Sequence, residues 1–204
     1  MSSFKIIIIG AGLAGCLLAN GLNHKGIEVV VYERLARETD REGYQIRLGA
    51  PALEGFRACL NIDQIAELVQ RFGRADGTKS AAPIVYDRHF KAVADLTLIP
   101  SYSKSAAINR VVLRDCLAAP IEAAGKLHYG KTYERYEIME SDSSREFVRV
   151  WFDDGTFDDG AILIGADGSH SKVSYRSFQY TSSSSICELI LNLRVFSRSM
   201  AKSV

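Results

Sequence analysis

The chain has 204 residues, of which 47% are hydrophobic and 24% are charged, the balance of an ordinary globular protein. Its net charge of +1 gives no reason to expect nucleic acid or an anionic membrane as a partner. The apolar run at 6–9 is too short for a membrane span or a signal sequence. We therefore expect a soluble, intracellular (cytoplasmic) protein without a transmembrane segment.

The cysteines carry no metal or disulfide signature. There is no Cys-x-x-Cys pair and no histidine at ligand spacing, and the four residues are scattered as Cys16, Cys59, Cys116 and Cys187. This distribution argues against a metal site and a disulfide framework, and it fits a reducing compartment.

The start of the chain has the pattern of a βαβ unit. An apolar, β-branched run at 4–9 predicts a strand that is buried on both faces. Apolar residues at helical spacing predict a helix over 13–25, and Gly26 follows as its stop signal. A second buried strand is predicted over 27–32, and it ends beside Glu33.

The middle of the chain mixes short strands and helices. A strand is predicted over 44–48 and helices over 51–59 and 62–72, the latter with one apolar face formed by Ile62, Ile65, Leu68 and Val69. Residues 81–99 alternate weakly and predict two strands joined by a turn. A further helix is predicted to begin at Arg110.

The following part is rich in strands. Antiparallel strands are predicted over 126–138 and 145–157, with Asp-Asp-Gly at 153–155 as a hairpin turn. Another buried strand is predicted over 161–164. The order of elements predicts an α/β fold with a Rossmann-like domain.

A glycine motif stands between the first strand and the first helix. Gly10 permits a tight turn, Gly12 lets the backbone approach a pyrophosphate, and Gly15 allows close packing of helix on strand. The helix N-terminus at Leu13 and Ala14 offers N–H groups and a positive dipole end to the phosphates. A tight turn without a ligand would use the same glycines, but the complete unit predicts dinucleotide binding.

Glu33 ends the second strand, where a carboxylate can accept hydrogen bonds from a ribose 2′-hydroxyl. An acidic residue at this place disfavours NADP as the ligand of this unit. Arg34 follows it and is included among the cofactor-binding candidates, with a solvated neighbour as the simpler interpretation.

A second glycine motif lies about 150 residues after the first, and it reads Gly-Ala-Asp-Gly-Ser at 165–169. Asp167 can accept hydrogen bonds from sugar or ribityl hydroxyls, while Gly165 and Gly168 keep the backbone open around it. Alternatively, Asp167 or Ser169 is simply the N-cap of a following helix.

Together and in this order, the two motifs resemble those of the FAD-dependent aromatic hydroxylases, the flavin monooxygenases of the para-hydroxybenzoate hydroxylase type. The resemblance covers residues 4–173. It implies a three-layer FAD-binding domain of the glutathione reductase type over 1–173, with strands of a β-rich substrate domain at 81–104. It also implies that Asp167 and Gly168 lie at the ribityl side of FAD, near the path of NADH or NADPH.

Two segments between the motifs extend the resemblance. Residues 43–49 are similar to a family segment along the flavin, which makes Arg47 a candidate contact, with an exposed strand cation as the alternative. Residues 109–117 are similar to the family's Arg-x-x-Leu-x-x-x-Leu helix, whose first arginine contacts FAD. That arginine corresponds to Arg110, whereas Arg114 is expected to be a solvated helix residue.

The resemblance also implies an activity. NADH or NADPH reduces the flavin, O2 adds to give a C4a-hydroperoxide, and one oxygen atom passes to a small aromatic, polyketide-like or terpenoid-like substrate. No catalytic residue is assigned, because the hard chemistry belongs to the cofactor. The alternatives are a flavin reductase or oxidase of the same superfamily and a non-catalytic FAD-binding fragment.

The composition changes at residue 174. Nine serines fall in 174–204 against eleven in the preceding 173 residues, and the segment has no glycine or proline. We expect a tail outside the family pattern, disordered or forming a short helix. The family's later Gly-Asp segment has no counterpart in this sequence, so we also expect a C-terminally truncated member with an incomplete flavin site.

Overall fold

The computed structural model describes residues 4–39, 43–72, 84–95, 98, 106–140 and 146–173, so the serine-rich tail predicted at 174–204 lies outside it. The elements follow in the order β1 (Lys5–Ile9), α1 (Leu13–His24), β2 (Glu28–Glu33), β3 (Gln45–Leu48), α2 (Ala50–Cys59), α3 (Ile62–Arg71), β4 (Ile84–Tyr86), β5 (Ala92–Asp95), β6 (Ala106–Asn109), α4 (Arg110–Ala123), β7 (Leu127–Tyr129), β8 (Tyr133–Glu140), β9 (Glu146–Phe152), β10 (Phe157–Gly160) and β11 (Ile162–Gly165). No helix among these is long and apolar enough to cross a membrane.

A four-stranded parallel sheet lies at the centre of the described chain, with strand order β11-β1-β2-β7. β1 pairs with β2 on one side and with β11 on the other, and Ile9 is opposite Gly165 in the second pair. The carboxyl ends of β1, β2 and β11 therefore meet at one edge of the sheet.

Side chains of β1 and β2 alternate between two apolar cores because successive residues of a strand point to opposite faces. One core lies on the side of α1 and α4 and receives Ile6, Ile8, Val29 and Val31. The other lies under the three-stranded antiparallel sheet β10-β9-β8 and receives Ile7, Ile9, Val30 and Tyr32. The result is the three-layer α/β fold that the sequence predicted.

Two short strands differ from the prediction. β6 was not predicted, and it pairs in antiparallel fashion with β3 just before α4 begins. β7 was predicted as part of an antiparallel strand, but it pairs in parallel with β2 at the edge of the central sheet. A strand of three or four residues has too little pattern of its own, and its partner decides its direction.

The apolar face predicted for α3 is only partly buried. Leu68 is 3% exposed, whereas Ile62 and Val69 are 84% and 60% exposed, so the core covers only part of this face. Besides Leu68, α3 is attached by a polar contact, in which the Gln64 amide donates to Asn20 Oδ1 at 3.0 Å. Asn20 is itself buried and donates to the carbonyl of Leu117 in α4 at 2.8 Å, which ties three helices together.

A polar cluster joins the central sheet to β10. Asp158 accepts hydrogen bonds from the Tyr32 hydroxyl at 2.9 Å and from Lys5 Nζ at 2.5 Å. Burial raises the pKa of Tyr32, and the nearby Asp158 carboxylate raises it further. The phenol therefore stays protonated and acts as the donor in this pair.

Replacing Phe152 tests the core between the two sheets. Phe152 is 1% exposed and its ring centre lies 4.4 Å from that of Tyr32. We expect Phe152→Ala to lower the free energy of unfolding by about 3–5 kcal/mol in urea denaturation, because a cavity remains. Phe4→Ala, at a side chain that is 58% exposed, is the control and should change it by no more than about 0.5 kcal/mol. Equal losses in the two variants would contradict this core.

Asp154 in the β9–β10 turn predicts how the free energy of unfolding changes at acid pH. Its carboxylate accepts from Lys131 Nζ at 2.5 Å and from the Thr156 hydroxyl at 2.6 Å, and these contacts lower its pKa from 3.8 to about 2. A lowered pKa stabilises the fold above the unfolded value, and this stabilisation disappears as the pH falls through the folded value.

We expect the difference in unfolding free energy between the wild type and Asp154→Asn to be constant above pH 5. It should shrink from about pH 4 towards pH 2 in urea titrations at each pH. Asp153→Asn in the same turn is the control, and its difference from the wild type should not follow this course. A difference for Asp154→Asn that is as large at pH 2 as at pH 7 would contradict the argument.

Candidate functional site

The two glycine motifs meet at the carboxyl edge of the central sheet. The N–H of Ala166 donates to the carbonyl of Ile9 at 2.7 Å, which continues the β1–β11 pairing beyond the strands. The N–H of Gly10 donates to the carbonyl of Tyr32 at 2.8 Å, which adds the end of β2. The two glycine motifs, at 10–15 and 165–169, thus lie beside the end of β2 at Glu33, and we call this edge of the sheet the rim.

The second motif leaves no room for a side chain at Gly10. Its φ is +107°, and a Cβ there would lie 2.5 Å from the carbonyl oxygen of Ala166. A Cβ at Gly15 would lie 2.0 Å from the carbonyl oxygen of Gly10, where α1 crosses the end of β1. Both distances are too short for any side chain, so these glycines are required by the fold itself.

Gly12 is different, because it has room. It is the N-cap of α1, and a Cβ there would meet nothing nearer than the carbonyl oxygen of Ala166 at 4.0 Å. No side chain caps the helix and its first turn has no acidic residue, so the first N–H groups, at Leu13 and Ala14, face no protein acceptor from a cap. This helix end is suited to an anion.

Glu33 reaches the glycine loop from the end of β2. One carboxylate oxygen accepts from the N–H of Ala11 at 2.9 Å, and the other accepts from the N–H of Leu35 at 3.0 Å. Each oxygen has a second lone pair, so the carboxylate can also accept a ribose hydroxyl. Arg34 is exposed beside it.

Asp167 has one satisfied and one unsatisfied oxygen. Oδ2 accepts from the N–H of Lys172, five residues later, at 2.8 Å, whereas an N-cap side chain accepts from two or three residues on, so Asp167 is not an N-cap residue. Oδ1 is buried and has no hydrogen-bond partner among the described residues. A buried carboxylate oxygen without a donor is costly unless a ligand supplies one. Gly168 follows with a φ of +89° in an exposed position.

The other candidate arginines lie on β3 and at the start of α4. Arg47 is exposed on β3, opposite Ala107 of β6. Arg110 is the first residue of α4, and its guanidinium carbon lies 5.8 Å from the centre of the Tyr44 ring. Neither observation decides whether these side chains contact a cofactor, so both remain predictions.

Arg114 was expected to be solvated, and this prediction was wrong. The residue is 7% exposed, and its Nε donates to the carbonyl of Ala11 in the glycine loop at 3.1 Å. Its Nη2 donates to the Tyr129 hydroxyl at 3.3 Å. The signal was the position beside Leu113 and Leu117, which are also buried, on the face of α4 that packs against α1.

The Arg114 guanidinium keeps its charge in this position. Burial acts to lower its pKa, but the hydrogen bond to Asp115 and the neighbouring Tyr129 and Cys16 raise it by more, and the net pKa lies above its usual value. A positive charge therefore stands directly behind the glycine loop.

A family model described as an FAD binding domain matches residues 3–190. The chain belongs to this FAD-binding family. The match confirms the recognition made from the two motifs, and it identifies the dinucleotide as FAD rather than NAD.

Among the relatives with a named activity are monooxygenases. The monooxygenase dbaB of Emericella nidulans is 32% identical over 176 residues, which are 83% of this chain and 41% of that protein. The 3-amino-4-hydroxybenzoate 2-monooxygenase of Streptomyces cremeus is 30% identical over 175 residues, with the same 83% and 41%. The chain thus spans about two fifths of the length of these relatives and belongs by family to an enzyme class.

A solved structure of HpxO from Klebsiella pneumoniae in complex with FAD has the same fold. It superposes with a TM-score of 0.60 at 25% identity and covers 82% of this chain and 40% of that one. The residues present here fit FAD as well, because the uncapped end of α1 suits its pyrophosphate and the unsatisfied Asp167 oxygen suits a hydroxyl.

Gly12→Ala separates cofactor binding from folding. The backbone at Gly12 (φ −76°) suits alanine, so we expect unfolding free energy equal to the wild type or higher by about 0.4–1 kcal/mol. The added methyl group occupies the space next to the phosphates, so the FAD dissociation constant should rise about 10-fold or more in a flavin fluorescence titration.

Gly10→Ala is the contrasting variant. Its Cβ would clash with Ala166 in the apo fold, so we expect a loss of stability of about 1–3 kcal/mol or more.

If Gly12→Ala binds FAD as tightly as the wild type, the pyrophosphate does not lie at this helix end.

Proposed function

We propose that this chain is the FAD-binding part of an NADH- or NADPH-dependent flavin monooxygenase that hydroxylates or epoxidises a small organic substrate. The observation that carries the proposal is the junction of the two motifs, where the uncapped end of α1 stands beside Asp167 and its unsatisfied oxygen. A plain dinucleotide-binding unit would need the first of these features but has no use for the second.

In this proposal, different residues of the rim bind different parts of FAD. The N–H groups of Gly12, Leu13 and Ala14 hold the pyrophosphate, and Glu33 accepts a ribose hydroxyl of the adenosine half. Asp167 Oδ1 accepts a hydroxyl of the ribityl chain. These contacts bind and orient FAD, and no side chain of the chain is assigned a proton transfer.

The bound flavin would accept a hydride from NADH or NADPH and activate O2. For hydroxylation the overall reaction would be NAD(P)H + H⁺ + O2 + R–H giving NAD(P)⁺ + H2O + R–OH, and for epoxidation the same oxygen atom would add across a C=C bond of the substrate. The names of relatives support an aromatic or polyketide-like substrate, since one acts on 3-amino-4-hydroxybenzoate and another is a urate hydroxylase. Substrate, O2 and nicotinamide donor are the partners proposed.

The proposal is tested first by reconstitution. We expect the chain purified with excess FAD to retain the flavin absorption bands after gel filtration, and to bind FAD with a dissociation constant of about 1 μM or below. A protein that retains no flavin would contradict the cofactor assignment directly.

The second step distinguishes the monooxygenase from its alternatives. NADH and NADPH oxidation, O2 uptake and H2O2 formation are measured together with a panel of hydroxylated aromatic acids. Product hydroxylation coupled to oxidation supports the monooxygenase. Oxidation that appears entirely as H2O2 favours an oxidase or an uncoupled fragment, and bound FAD without any oxidation favours a non-catalytic fragment.

A further inference from the structure

Ala11, at the centre of the glycine loop, is held from two sides. Its N–H donates to Glu33 at 2.9 Å, and its carbonyl accepts from Arg114 Nε at 3.1 Å. Ala11 is 2% exposed, so water does not compete for either bond. Two side chains from separate elements, the end of β2 and the middle of α4, thus fix one residue of the loop.

Peptide geometry transmits this restraint to Gly12. The described chain has no cis peptide bond, and in a planar trans peptide the carbonyl and the N–H point in opposite directions. When Arg114 holds the Ala11 carbonyl, the N–H of Gly12 must point away from Arg114. Among the described residues that N–H has no protein acceptor, and it belongs to the N-cap of α1.

Arg114 is itself held in place. Nη2 donates to the Tyr129 hydroxyl, Nη1 donates to Asp115 at 3.0 Å, and the guanidinium carbon lies 5.5 Å from the centre of the Tyr129 ring. Burying a guanidinium is costly unless its donors are paired, and three of them are paired here. A long apolar side chain would fill the same space without that cost, so packing alone does not explain the arginine.

We propose that Arg114 is a positioning residue for FAD: it fixes the Ala11–Gly12 peptide so that the Gly12 N–H faces the pyrophosphate before the cofactor arrives. This inference rests on the proposed function, because it takes the pyrophosphate to lie at the end of α1. Without Arg114 the peptide can rotate. Only the fraction of molecules with the N–H outward then binds, and the apparent dissociation constant rises by the inverse of that fraction.

The main test replaces Arg114 by methionine, which keeps the length and removes the donors. FAD affinity is measured by flavin fluorescence and ADP affinity by calorimetry, since ADP carries the pyrophosphate without the flavin. We expect both dissociation constants to rise together by about 10-fold, as if one molecule in ten kept the competent peptide. Arg114→Lys restores one donor and should recover part of the loss.

A spectroscopic readout separates positioning from general loss of structure. In protein labelled with [¹⁵N]glycine, the Gly12 amide resonance should shift or broaden in Arg114→Met. Glycines remote from the loop, such as Gly55 and Gly155, should keep their positions. The fraction of folded protein is measured in parallel by urea denaturation.

Two further variants provide a control and a second test. Asp115→Asn removes only the charge of the exposed partner of Arg114, since the asparagine Oδ1 can still accept from Nη1 and the bond to Ala11 remains, so FAD and ADP affinity should stay at wild-type values. Tyr129→Phe removes only the hydroxyl that holds Nη2, and we expect both dissociation constants to rise about 3-fold. If Arg114→Met fails to fold, Tyr129→Phe decides the question in its place.

Unchanged FAD and ADP affinities in Arg114→Met, or in Tyr129→Phe where that variant decides, overturn the inference. An effect on FAD that ADP does not share also overturns it, as does a Gly12 resonance that does not move. A wild-type chain that binds neither FAD nor ADP overturns the proposed function and the inference with it. Wild-type binding with an unaffected variant overturns the inference alone.

Discussion

The parallel pairing of β1 with β11 is the constraint on which the site depends. It sets residues 6–9 against 162–165 and extends through the bond from Ala166 to Ile9. This contact places the backbone of the second motif within 3 Å of where a side chain at Gly10 would stand. The two motifs are therefore one structure, and the requirement for glycine in the first is created by the second.

Burial on both faces of the central sheet keeps that pairing in register. Ile6 and Ile8 belong to the core on the helical side, and Ile7 and Ile9 belong to the core under β8, β9 and β10. A shift of one residue would exchange every side chain between the cores, so the register is strongly specified. The glycine loop starts from a strand that cannot slide, and its geometry is correspondingly fixed before any cofactor binds.

The first βαβ unit could be predicted from the sequence because its signals are local. Buried strands, the helical period and the glycines between them all lie within about 30 residues. The two motifs also identified the FAD-binding family, and the hairpin turn at 153–155 lies where its residues indicated. The three-layer fold followed from the resemblance.

What could not be predicted depends on contacts between distant residues. Arg114 bonds to a carbonyl 103 residues away, and its place on the apolar face of α4 does not reveal that partner. The exposure of Ile62 and Val69 likewise reflects how little of α3 the core reaches, which is a property of helix placement. Tertiary packing overrides local periodicity in both cases.

The distance in sequence between β1 and β11 also has a consequence for the order of folding during synthesis. β2 is made soon after β1, but the opposite edge of β1 has no partner until residues 162–165 have been synthesised. At 5–20 residues per second, about 130 further residues take roughly 7–26 s. During that time the four isoleucines of β1 have one unpaired edge on the nascent chain. FAD cannot stabilise this strand by binding, because the second motif, which forms half of the rim, has not yet been synthesised.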